Sequence, residues 1–182
     1  MQIETTFIEG LSIITPNVFE DARGYFFESY NESAFLKSGF SHHWVQDNQS
    51  SSSRGVIRGL HFQSPPHAQA KLIRVIQGVI LDVAVDIRKD SPTYGKHVAI
   101  ELSATNKKQF LIPSGFAHGF SVLSERAEVL YKCDGFYNRD SEGGLHYADP
   151  ALSIDWGLHP GEAIVSEKDK VLPLLAEFHS PF

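Results

Sequence analysis

The strictest constraint on this chain is a two-residue alternation between Leu81 and Ile87. Leu81, Val83, Val85 and Ile87 fall on one side of an extended chain, and Asp82, Ala84 and Asp86 on the other. Comparable short apolar runs follow at 97–102, 110–112, 120–123 and 128–133. Each is bounded by turn chemistry, at 91–95 (Ser-Pro-Thr-Tyr-Gly), 104–107, 113–115 (Pro-Ser-Gly) and 124–127. The last two runs read as a hairpin pair, with Val129, Tyr131 and Cys133 sharing a face. Upstream, 7–14 reads as a first strand, 21–24 as a turn, 25–30 as an aromatic strand and 44–48 as extended chain. Residues 31–39 read as a short helix that starts near Asn31 or Ser33 and stops at Gly39. The serine run within 49–53 reads as a loop, and the chain after Tyr137 as loop-rich. Many short strands, one short helix and no strand–helix–strand rhythm predict a mainly β, antiparallel sandwich or barrel.

Composition sets outer limits. The chain has 182 residues, 42% of them hydrophobic and 21% charged, enough for one domain, 1–182, with its own core. A formal net charge of -6 argues against a general nucleic-acid binder. Cys133 is the single cysteine, so no intrachain disulfide forms and a reducing compartment fits. No signal-peptide pattern opens the sequence, and no run approaches the about 18 apolar residues of a membrane span. The expectation is a soluble cytoplasmic protein with no nucleic-acid or membrane partner.

The chemistry concentrates in 54–74, where Arg58, His61, Gln63 and Lys71 interrupt apolar, strand-like sequence. A base and several cations are costly to bury without a task. Downstream, Pro113-Ser-Gly-Phe-Ala-His118 has the Pro-x-Gly-x-x-His spacing of the second cupin motif, which points to a jelly-roll barrel. Metal-binding cupins carry a His-x-His pair, but here the residue two after His61 is Gln63. His61 and His118 then lack further ligands, and His67 follows Pro65-Pro66 on a loop, so no metal is expected. His61 alone reads either as a hydrogen-bonded core histidine or as a general base. Lys71 and Arg58 favour the base: proton abstraction next to a carbonyl needs a cation to stabilise the enolate oxygen. The carboxylate that would support such a histidine has to come from elsewhere in the chain.

These pieces and their order resemble the dTDP-4-dehydrorhamnose 3,5-epimerase family nearly end to end. The likeness runs through 19–28 (Phe-Glu-Asp-Ala-Arg-Gly-Tyr-Phe-Phe-Glu), Gln46-Asp-Asn48, 55–63 (Gly-Val-Ile-Arg-Gly-Leu-His-Phe-Gln), 69–72, 82–88, 112–120, Tyr131, 141–143 and 166–169. It implies a cupin-type enzyme without metal or cofactor, usually a homodimer. It also implies inversion of C3 and C5 of dTDP-4-dehydro-6-deoxy-D-glucose. By position, His61 resembles the proton acceptor, Asp169 its orienting carboxylate, Tyr131 the proton donor and Lys71 the enolate stabiliser. Arg23, Arg58 and Lys168 correspond to anion or sugar contacts. Glu28, Gln46, Asn48, His118 and Glu142 correspond to pocket positions, and Tyr137 to the ring that stacks on thymine. Phe26 would come from the neighbouring subunit. Asn138 departs from the pattern, since relatives often carry proline there. An epimerase acting at C3 alone, a metal-dependent cupin such as a dioxygenase, and a non-catalytic sugar-binding cupin are the alternatives.

Overall fold

The computed structural model describes residues 1–182, and antiparallel strands dominate it. One sheet has six strands in the order β1 (Gln2–Thr5), β2 (Ser12–Thr15), β10 (Gln109–Ile112), β7 (Lys71–Gln77), β12 (Arg126–Cys133) and β5 (Gln46–Ser53). The other has five, in the order β13 (Glu142–Gly144), β6 (Ile57–Gln63), β11 (Phe116–Val122), β8 (Val79–Asp86) and β9 (His97–Ser103). The hairpin of β3 (Phe19–Asp21) and β4 (Gly24–Phe26) forms a third, small sheet. Sequence neighbours repeatedly fall in opposite sheets, as in a jelly roll.

The two large sheets face each other over a core that includes Ile73, Val75, Ile80, Ala84, Leu102, Phe110 and Phe120. Burying a side chain of this size is worth roughly 1.5–3 kcal/mol. The alternation in β8 holds, but both of its faces are covered. Ile80 and Ala84 enter the inter-sheet core, while Val83, Val85 and Ile87 meet a second cluster with Phe62, Leu152 and Trp156. Asp82 and Asp86 therefore point inward, each 0% exposed. Burial pushes the Asp86 carboxyl up, yet donors from Arg88, Ser91 and Thr93 outweigh it and hold its pKa at about 2.

The helix α1 (Glu32–Lys37) is capped by Asn31, whose side chain accepts from the Ala34 N–H at 3.1 Å. Its Phe35 packs on Ile14, Leu72 and Leu111, outside the six-stranded sheet. The chain after Gly144 crosses the outer face of the five-stranded sheet, where Phe178 and Phe182 meet Phe62 edge-on. No helix is long and apolar enough to cross a membrane.

Three local expectations are corrected. The run 7–14 is not one strand, because the Thr6 hydroxyl bonds the Ile8 carbonyl at 3.0 Å and turns the chain back before β2. The polar stretch 49–53 is not a loop but the end of β5, paired along its length with β12. Alternate residues Gln46, Asn48, Ser50 and Ser52 face inward there; the first three line the cavities, and Ser52 accepts from Arg58 Nε, so polar groups stand where a core strand would be apolar. Finally, β11 and β12 are no hairpin: β11 pairs with β6 and β8, and β12 with β5 and β7.

Candidate active site

The site begins with an irregularity between β6 and β11. His118 faces His61, but the next pair is Phe120 with Arg58, so β6 uses one more residue than its partner. This bulge breaks the two-residue period and lets Arg58 and His61 line one cavity. Glycine permits the close approach, since a Cβ on Gly59 would stand 2.4 Å from Gly119 Cα.

His61 Nε2 lies 2.7 Å from Oδ1 of Asp169, which the C-terminal segment delivers in a 3-10 turn, Asp169–Val171. The carboxylate missing near His61 in sequence thus arrives from 108 residues away. Asp169 is 3% exposed. Burial pushes its carboxyl up, but the His61 hydrogen bond and charge, with the Gly59 N–H, hold it below the usual carboxylate range. A second buried pair lies alongside, with His118 Nε2 3.0 Å from Asp82 Oδ1. Burial lowers the His118 pKa despite that contact, and Lys71 and His61 lower it further.

Lys71 opens β7 and Tyr131 sits on neighbouring β12, both facing inward. Burial lowers the Lys71 pKa, against opposition from Cys133, Asp82 and Glu142. Burial also raises the Tyr131 phenol, so it keeps its proton at neutral pH. Arg58 donates from Nε to Ser52 Oγ at 3.1 Å, leaving its outer nitrogens for a ligand. Arg58, His61, Lys71, His118, Tyr131, Lys168 and Asp169 line a cavity of about 450 Å³. A smaller space of about 160 Å³ shares His61, Lys71 and Tyr131 and adds Gln46, Asn48, Gln63, Tyr137 and Glu142. The Tyr137 hydroxyl donates to Glu142 Oε2 at 3.1 Å, and Lys168 pairs with the other oxygen of Glu142.

Three expected pocket residues lie elsewhere in the chain's own structure. Arg23 is exposed and bound to Asp21 at 2.5 Å. Phe26 is 66% exposed on the β3–β4 hairpin. Glu28 accepts from Asn31 Nδ2 at 3.1 Å, beside α1. The structure also adds residues that sequence reasoning missed. Asp82 was readable as a carboxylate in an apolar strand, whereas Ser50, Ser52, Ile164 and Val165 carried no signal of their own. No group of three or more His, Cys, Asp or Glu side chains comes together as a metal site.

A family model described as dTDP-4-dehydrorhamnose 3,5-epimerase matches residues 5–177. The chain belongs to this family. It is 51% identical to the dTDP-4-dehydrorhamnose 3,5-epimerase of Pseudomonas aeruginosa, with 90% of each chain covered. It superposes on the crystal structure of the Elizabethkingia anophelis enzyme with TM-score 0.93, at 52% identity and 97% coverage of both chains. A Legionella pneumophila 3,5-epimerase, solved with dTDP-4-keto-L-rhamnose, gives TM-score 0.94 at 46% identity, covering 98% of this chain and 94% of that one. Like these relatives this chain is a jelly-roll sandwich, and its His61–Asp169 pair lines the larger cavity.

Proposed function

We propose that this chain is a dTDP-4-dehydrorhamnose 3,5-epimerase that inverts C3 and C5 of dTDP-4-dehydro-6-deoxy-D-glucose. The observation that carries the reading is one cavity holding a His–Asp pair, a half-buried lysine and a protonated phenol. Both carbons flank the C4 ketone, so the same carbonyl acidifies both protons. A carboxylate only accepts, so His61 donates its Nε2 proton to Asp169 and keeps a lone pair on Nδ1. Nδ1 takes the C–H proton, and the C–H electrons move into the carbonyl to give an enolate. The Lys71 ammonium stabilises that oxyanion, a contribution of about 10²–10³ in rate. Tyr131 then protonates the opposite face of the carbon as the carbonyl re-forms. Proton return from imidazolium to phenolate, by way of solvent, resets the site for the second carbon.

The nucleotide follows from the remaining groups. Arg58 and Lys168 are cations suited to the pyrophosphate, and Tyr137, 54% exposed, offers a ring face to thymine. Gln46, Asn48, His118 and Glu142 supply polar contacts around the sugar and base. The working unit is a homodimer in which Arg23, Phe26 and Glu28 serve the partner's cavity. Exposed Phe19, Tyr25 and Phe26 on the hairpin support this, and sedimentation at a dimer's mass tests it. We place the reaction in the cytoplasm, where the unpaired Cys133 stays reduced.

Incubation with the substrate in D2O tests the function. Deuterium at C3 and C5 with appearance of the L-sugar is expected. Label and inversion at C3 alone would make the enzyme a single epimerase, and no label at either carbon would contradict the reading.

A further inference from the structure

Gln46 and Gln63 stand on β5 and β6, strands of opposite sheets, yet their side-chain carbonyls converge on two consecutive peptide groups. Gln46 Oε1 accepts from the Tyr137 N–H at 3.2 Å, and Gln63 Oε1 accepts from the Asn138 N–H at 2.8 Å. Residues 134–138 belong to no strand or helix, so no ladder fixes their backbone. Gln63 is 5% exposed and rises from a strand locked in the five-stranded sheet, which makes it a rigid anchor.

We propose that Gln63 is a positioning residue for nucleotide binding, holding the Tyr137 ring in its stacking orientation through the Asn138 N–H. The inference rests on the reading of Tyr137 as the ring that stacks on thymine. Gln69 Nε2 holds the Gly135 carbonyl upstream at 2.6 Å, and the two glutamine carbonyls, from two sheets, hold the peptide groups at the ring itself, so the ring is ordered before the ligand arrives. The bond exists because Asn138 is not proline, which has no N–H to give. The backbone agrees, since Asn138 has φ -130, far from the about -65° of a proline ring. The Asn138 side chain holds the same corner by accepting from the Asp140 N–H at 2.9 Å. The departure at this position thus substitutes one restraint on the loop for another.

The test titrates dTDP into the wild type, Gln63→Met, Asn138→Pro and the double variant by calorimetry, with steady-state kinetics alongside. Gln63→Met keeps the side chain's length and removes the acceptor. It is expected to weaken dTDP about tenfold, with a rise in KM larger than the fall in kcat. Asn138→Pro removes the donor from an exterior loop and tests the same bond should the buried substitution prevent folding. The double variant is expected to bind no more weakly than Asn138→Pro alone, because that variant already lacks the N–H that Gln63 accepts from, together with the side-chain bond to the Asp140 N–H. Wild-type affinity in Gln63→Met, or losses that multiply in the double variant, would overturn the proposal while leaving the epimerase reading intact. Absence of dTDP binding by the wild type would instead overturn the nucleotide reading and the inference with it.

Discussion

His61 and Asp169 are joined by a 2.7 Å hydrogen bond between a strand of the five-stranded sheet and a turn near the C-terminus. In the proposed reaction this bond fixes the ring's tautomer and stabilises the imidazolium formed on proton abstraction. Asp169→Asn keeps the shape but offers an amide in place of the carboxylate. Its kcat is expected to fall at least about 10²-fold, with a smaller change in KM. Equal kcat in stopped-flow or steady-state assays would remove Asp169 from the mechanism.

Lys71 and Tyr131 are displaced in opposite directions by burial, and the pH profile should separate them. The Lys71 ammonium is held below its ordinary 10.5, and the Tyr131 phenol above its ordinary 10.0. Lys71 therefore gives up its charge at lower pH than a free lysine, and Tyr131 keeps its proton to higher pH than a free tyrosine. The alkaline limb of kcat should fall with Lys71. Lys71→Arg keeps a charge at all accessible pH, so it should be slower but carry a limb displaced to higher pH. An alkaline limb unmoved by that substitution would assign it elsewhere. Lys71→Met should lose about 10²–10³ in kcat.

Tyr131→Phe separates deprotonation from inversion. The base and the oxyanion stabiliser remain, so carbon-bound protons still exchange with solvent. The opposite face lacks its donor, so product should not accumulate. Mass spectrometry would find label in recovered substrate, while NMR would find little L-sugar. Normal yields of the L-sugar would show that another group donates.

Asp86 gives a stability prediction away from the site. Its carboxylate ties Arg88, Ser91 and Thr93 across the turn after β8. A folded pKa of about 2 against 3.8 means that folding favours the ionised form. The stabilisation is complete above about pH 4 and is lost as pH falls toward 2. Asp86→Asn should cost about 2 kcal/mol or more at pH 7 and flatten this acid limb. Denaturant melts across pH 2–7 would check both. An unchanged acid limb in the variant would show that the turn contributes no such linkage.

How much was legible in the sequence differs by element. The alternation at 81–87 and the turns at 91–95 and 113–115 announced antiparallel β structure, because period two admits little else. Arg58, His61 and Lys71 stood out as polar groups in apolar strands, which is the mark of a lined cavity. The second half of β5 reads as a loop because its inward residues Ser50 and Ser52 face the cavity and Arg58, so the usual apolar signal of a strand is absent. The bulge that puts Arg58 and His61 on one wall depends on the β6–β11 register, which no local pattern encodes. Nor could period alone reveal that the runs on either side of Ser124 belong to opposite sheets. Asp169 came to His61 only through the likeness to the epimerases, since 108 intervening residues hide a contact made by tertiary packing. Arg23, Phe26 and Glu28 show the complementary limit: one chain's structure does not bring them to the cavity assigned to them.

The most direct measurement is solvent exchange by His61→Asn, a near-isosteric change that removes the base. The variant and the wild type would be incubated with dTDP-4-dehydro-6-deoxy-D-glucose in D2O, with dTDP affinity measured in parallel. His61→Asn is expected to bind dTDP and to take up deuterium at neither C3 nor C5, while the wild type labels both. Label at either carbon at the wild-type rate would mean that His61 is not the base that takes that proton.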